Sequence, residues 1–139
     1  MRQELDDLLC HRYPELFRDR HGTIYETSMC WGFACGDGWY EIIDRLCAAI
    51  DAQVREGRMP SVVVSQVKEK CGTLRFIIRG FGQGGNAETH RLIALAQAQA
   101  LRTCEECGQP AEMVEHRNYV RCTACASHQL NNTFFPGSD

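Results

Sequence analysis

The sequence predicts an α+β fold, with helices packed on a β-hairpin or small antiparallel sheet and a small cysteine-bearing ribbon at the C-terminal end. Three observations carry this expectation. Apolar residues recur at helical spacing in three segments, two β-branched runs flank a tight turn over 62–79, and two C-x2-C pairs lie late in the chain. A length of 139 residues suits one ordinary domain with a small appendage, able to bury roughly two thirds of its unfolded surface. The expected division is a body over 1–102, a ribbon over 103–128 and a tail over 129–139.

Residues 4–12 place Leu5, Leu8 and Leu9 on one helical face, and Pro14 then opens a short turn through Glu15, Leu16 and Phe17. Cys10 and His11, near the end of this helix, are read as structural. Between 18 and 36 no period appears. There MCWGFACGDGW mixes small residues with Trp31, Phe33 and Trp39, the composition of a folded loop. Asp37 is expected to cap the next helix, with Glu41 near its positive end and an apolar stripe of Trp39, Ile42, Ile43, Leu46, Ile50 and Val54. Gly57 and Pro60 mark its stop.

SVVVSQVKEK, then CG, then TLRFIIRG reads as a hairpin. Pairing Lys70 with Thr73 sets Val67 against Phe76, brings Val63 towards Ile78 and places Lys68 opposite Arg75. Like charges directly across a strand pair are unfavourable unless solvent or an acidic partner relieves them. Lys68, Lys70, Arg75 and Arg79, set against the single Glu69, are therefore the expected partner-binding residues. GFGQGG over 80–85 lacks both the P-loop lysine and the G-x-G-x-x-G spacing, so it reads as a connection and not as a nucleotide site. Asn86 is expected to cap a helix running to about 102, with Leu92, Ile93, Ala96 and Ala100 on its packing face.

A formal charge of −3 provides no general field towards nucleic acid or an anionic membrane. MRQELDDLLCHRY carries acidic residues where a signal sequence needs an apolar stretch, and no run approaches the ~18 apolar residues of a membrane span. The expectation is a soluble cytoplasmic protein. In a reducing compartment, nine cysteines of uneven spacing point to metal before disulfides.

The pattern C-x2-C-x14-C-x2-C over Cys104, Cys107, Cys122 and Cys125 fits two metal-binding turns joined by a hairpin, with strands over 113–117 and 119–121. Four thiolates around one ion make a closed tetrahedral site, the arrangement of a single structural zinc, although iron suits the same ligands. His116 or His128 could replace one thiol, and the four-cysteine set is preferred. Some 25 residues bury too little to fold alone, and a bound zinc would contribute on the order of 10 kcal/mol. Cys47 and Cys71 read as small hydrophobes. Cys30 and Cys35, with His21 nearby in sequence, form a weaker C-x4-C candidate for a second metal site or a thiol-dependent or metal-dependent enzyme.

Zinc ribbons serve mainly in binding. Between 101 and 139 three arginines meet five acidic residues, which suits protein recognition better than phosphate neutralisation. No nucleophile–base set stands at a diagnostic spacing, and the zinc-deaminase pattern is missing, so an enzyme is not expected. Phe134 and Phe135 in the tail leave monomer and homodimer both open.

CGDGWYEIIDRLC, VSQVKEKCGTLRF and the paired cysteines together resemble a group of small proteins encoded by bacteriophages and prophages, over most of residues 8–126. Where that group has phenylalanine in the hairpin turn, this chain has Cys71. The resemblance implies a bacterial cytoplasmic setting and an accessory phage role. Small phage proteins of this kind often bind host machinery, and some inhibit defence systems such as CRISPR. The expected function is thus a phage-type accessory protein that binds a host protein or ribonucleoprotein, for example as an anti-CRISPR inhibitor. The main alternative is a regulator binding nucleic acid through the basic hairpin face.

Overall fold

The computed structural model of the protein describes residues 1–23, 27–80, 86–114 and 119–126. Its centre is the hairpin: β2 (Val62–Lys70) and β3 (Thr73–Gly80) pair antiparallel around Cys71 and Gly72. Both turn residues have positive φ, 52° and 84°, as a two-residue turn of the twist-matched type requires. The carboxylate of Glu69 accepts the Gly72 N–H at 2.6 Å and completes the turn. Cys71 is exposed, so its expected role as a small hydrophobe is wrong.

Val67 faces Phe76 and Lys68 faces Arg75, as the pairing of Lys70 with Thr73 demands. Beyond that point a register shift between Val64 and Gln66 changes the partners. Val64 lies opposite Ile78, and Val63 opposite Arg79. The expected approach of Val63 to Ile78 is thereby corrected, because an inserted residue turns every later side chain to the other face. A third strand, β1 (Phe33–Ala34), joins parallel to β2 and makes the sheet order β1-β2-β3.

Three helices complete the body: α1 (Gln3–Arg12), α2 (Tyr40–Arg55) and α3 (Ala87–Ala100). On α2 the stripe of Ile42, Ile43, Leu46, Cys47 and Ile50 is buried, continuous with Val62, Val64, Val67, Leu74 and Phe76 of the sheet. Asn86 caps α3 by accepting the Thr89 N–H at 3.0 Å. Asp37 does not cap α2. A 3-10 turn, Asp37–Trp39, precedes that helix, and the Asp37 carboxylate instead accepts the Arg2 N–H at 2.7 Å and pairs with the Arg2 guanidinium.

The aperiodic segment before β1 is fixed by a buried ion pair. Asp6, 5% exposed, holds Arg20 through two bonds of 3.0 and 3.1 Å, and Arg20 also donates to the Cys30 carbonyl. Phe17 and Phe33 meet edge to face at 4.9 Å. No helix among the described residues is long and apolar enough to cross a membrane.

Candidate metal centre and its seat on the body

The chain after α3 folds back as β4 (Glu112–Val114) and β5 (Tyr119–Arg121), an antiparallel pair with Met113 opposite Val120. Residues 115–117 of the expected first strand, and both His116 and His128, lie outside the described residues. A tight turn precedes β4. Cys104 N–H donates to the Gln109 carbonyl at 2.8 Å, Gly108 N–H donates to Cys104 at 2.9 Å, and Gly108 takes φ +80°. That conformation favours glycine. A helical turn at 123–126 closes the second pair, with Ala126 N–H on the Cys122 carbonyl.

These turns bring the four expected sulfurs together. The sulfurs of Cys104, Cys107, Cys122 and Cys125 lie within 4.8 Å of one another, and Cys107 and Cys122 are 3.6 Å apart. Thiolates bound at ~2.3 Å around a tetrahedral ion sit about 3.8 Å from each other. The array therefore fits a metal ion and could hold one. Its protonation reflects the crowding. The Cys122 thiol is drawn down to about 7, first by the Cys125 backbone N–H and then by neighbouring thiols. The Cys125 thiol is pushed up, by burial and by those same neighbours. Cys122 thus takes negative charge more readily than Cys125, which keeps its proton unless a cation compensates it.

The ribbon sits on the CGDGW loop. Gly38 N–H donates to the Glu105 carbonyl at 2.7 Å, Gly36 N–H donates to the Glu105 carboxylate at 2.9 Å, and the Trp39 indole N–H donates to the Thr103 carbonyl at 3.0 Å. A Cβ on Gly38 would overlap the Cys104 carbonyl oxygen and come within 2.6 Å of Gly108 N, while one on Gly36 would overlap the Glu105 carbonyl. The motif is a seat for the first cysteine-bearing turn. Alternating glycines in an aperiodic segment were the available signal, since they mark close backbone approach as readily as a turn. Glu105 and Arg121 were not anticipated. Both are largely buried, and they pair at 2.9 Å.

The other candidate residues fall in different places. Cys35 is buried, and its thiol is pushed up to about 12, chiefly by burial; a thiol so held is a poor nucleophile. His21, Cys30 and Cys35 do not gather into a cluster; the four-cysteine set is the group of that kind among the described residues. A polar cleft of about 520 Å³ runs beside Cys107, past Tyr40 and Gln99, and its charged walls are internally paired, Arg2 with Asp37 and Glu41 with Arg45.

On the outer sheet face Lys68 and Arg75 stand opposite each other, with Lys70 at the turn. The guanidinium of Arg79, the fourth expected residue, is paired with Asp19. The loop from Met29 to Asp37 is mostly committed inward, with Met29, Phe33 and Cys35 buried, but Trp31 is 72% exposed. Compared with known proteins, the chain matches no family model, no curated protein and no solved structure.

Proposed function

We propose that the protein is a stoichiometric binding protein of the phage or prophage accessory type. It attaches to a host protein or ribonucleoprotein in the bacterial cytoplasm, and inhibition of a defence system such as CRISPR is the first activity to assay. One zinc ion holds the ribbon, because four thiolates in a closed tetrahedron suit zinc and leave no position for water or substrate. The metal then has a structural role, and the surface acts.

The observation that carries this reading is how the basic residues are spent. Among the described residues are fourteen lysines and arginines, and ten of them, all arginines, are in ion pairs. The remaining four are Lys68, Lys70, Arg75 and Arg102, and three of these share the outer hairpin face. Glu69, which could have neutralised them, is turned to the Gly72 amide. In a net-acidic chain that pairs nearly every other cation internally, an uncompensated cluster suits a carboxylate-rich protein surface. Such complementarity chiefly sets encounter rate and register.

Nucleic acid is the second reading, and the same face supports it less well. Three cations release few counterions, and Gln66, Thr73 and Ile77 offer no ring for a base to stack on. The test is affinity capture from phage-infected or lysogenic cells with the wild type and with Lys68→Glu/Arg75→Glu. Loss of a specific co-purifying protein from the double variant is the expected result. Its retention would overturn the assignment of this face. Tight binding of a single-stranded oligonucleotide that weakens steeply with salt would transfer the face to nucleic acid.

A further inference from the structure

Glu105 lies between two of the cysteine ligands in sequence and touches both the body and the ribbon. It is 8% exposed. One carboxylate oxygen accepts the Gly36 N–H, the other holds Arg121 Nη1, and its carbonyl accepts the Gly38 N–H. Arg121 immediately precedes Cys122. Its second terminal nitrogen pairs with Glu106 at 3.2 Å, and its guanidinium lies 5.2 Å from the Tyr119 ring centre. Its Nε is buried and has no hydrogen-bond partner among the described residues. Leaving a buried donor unsatisfied is costly, and more so when the group is charged.

The neighbourhood suggests what that donor is for. Arg121 is tied to both cysteine pairs: it directly precedes Cys122, and it holds the carboxylate of Glu105, which directly follows Cys104. Four thiolates around a divalent cation leave a net charge of about −2 at the centre. A guanidinium fixed on the residue next to Cys122 offsets that charge, and groups just outside a metal's ligands commonly change its affinity by about 10–100-fold.

We propose that Gly36, Gly38, Glu105 and Arg121 form a positioning set for the metal centre and couple metal affinity to the docking of the ribbon on the body. This rests on the reading that the four cysteines bind a metal, and it is independent of any partner. The body amides fix the Glu105 carboxylate, the carboxylate orients the guanidinium, and the guanidinium keeps its unpaired Nε–H for the cysteine array. Linkage makes the effect reciprocal: whatever docking adds to metal affinity, metal adds to docking. Loss of the ion frees the ribbon and uncovers the Gly36 and Gly38 amides and the Trp39 indole N–H.

The test uses the full-length chain with Co²⁺ as the probe, since its thiolate charge-transfer bands report four-sulfur tetrahedral coordination, followed by competition with Zn²⁺. Gly38→Ala and Arg121→Met are each expected to weaken metal binding tenfold or more, with the four-sulfur spectrum kept at saturation. Arg121→Lys, which keeps the charge and loses Nε, is expected to fall between them and the wild type. Hydrogen exchange at the Gly36 and Gly38 amides of metal-free wild type should match that of Gly38→Ala. Folded variants with wild-type affinity, or metal-free wild type that keeps those amides protected, would overturn the coupling. If Gly38→Ala does not fold, Arg121→Met carries the test with the seat intact. If the wild type yields no four-sulfur spectrum, the metal reading fails and the coupling with it.

Discussion

In the body, Ile43, Ile50, Trp39 and Val64 are fully buried and belong to one continuous cluster spanning α2, the sheet and α3. In the ribbon, among the described residues, Cys104 and Val120 are the apolar side chains buried to that degree, Met113 is 37% exposed, and Glu105 is the other buried group. Each fully buried aliphatic side chain stabilises by about 1.5–3 kcal/mol, against an ordering cost of about 1–2 kcal/mol for every backbone residue fixed. The body meets that cost with area. The ribbon cannot, and on the metal reading proposed above its order depends on the few atoms where thiolates would meet an ion and where Glu105 meets Gly36 and Gly38. One region tolerates small losses spread over many contacts, whereas the other concentrates its stability at a point.

Removing the metal should separate the two regions most sharply. Stripping it with a strong chelator under reducing conditions removes stabilisation on the order of 10 kcal/mol, so amides over 103–126 should lose exchange protection while those of α2, β2 and β3 keep theirs. A ribbon that stays protected without metal would erase the contrast.

A core truncation should act in the opposite sense. Ile43→Ala, at a site with no exposure, is expected to cost about 2–5 kcal/mol and to lower the urea midpoint of the body. The Co²⁺ spectrum of the ribbon should survive wherever the body remains folded. Collapse of metal binding at denaturant concentrations where α2 is intact would show that the ribbon's order rests on the body's core packing and would remove the contrast.

Alkaline pH sharpens the body's side of the comparison by a smaller amount. Burial is the main cause that raises the Cys35 thiol to about 12 and the Cys47 thiol well above its ordinary value. Because these groups hold their protons in the folded state and lose them near pH 9 when unfolded, their contribution is complete below pH 9. It declines as pH rises through the folded values. Urea midpoints of reduced protein should therefore fall between pH 8 and 10.5. Cys47→Ala should flatten that slope, by up to about 1.4 kcal/mol per pH unit. An unchanged slope would mean that Cys47 is not the buried, neutral thiol described above.

Much of the architecture was legible from local pattern. The α2 stripe, the Asn86 cap and the hairpin turn each follow from short-range rules, and the four sulfurs were identifiable because C-x2-C lets one reversing turn present two ligands to a single point. The register beyond Val64 was not legible, since a bulge leaves no mark in an alternating run of valines and serine. Nor was the fate of Arg79, because its partner Asp19 lies 60 residues away in the chain. CGDGW misled for a related reason. Asp37 in front of a helix reads as a cap until the 3-10 turn is seen.

By itself the sequence determined where helices, hairpin and cysteine-bearing turns form, because those depend on neighbours within a few residues. Tertiary structure alone decided which groups are paired within the chain and which are not. Arg79 goes to Asp19, Glu69 to the Gly72 amide and the CGDGW glycines to Glu105, while Lys68, Lys70 and Arg75 make no ion pair with a described residue. Hydrogen bonds and ion pairs act over a few ångströms of space, and separation along the chain does not fix that distance.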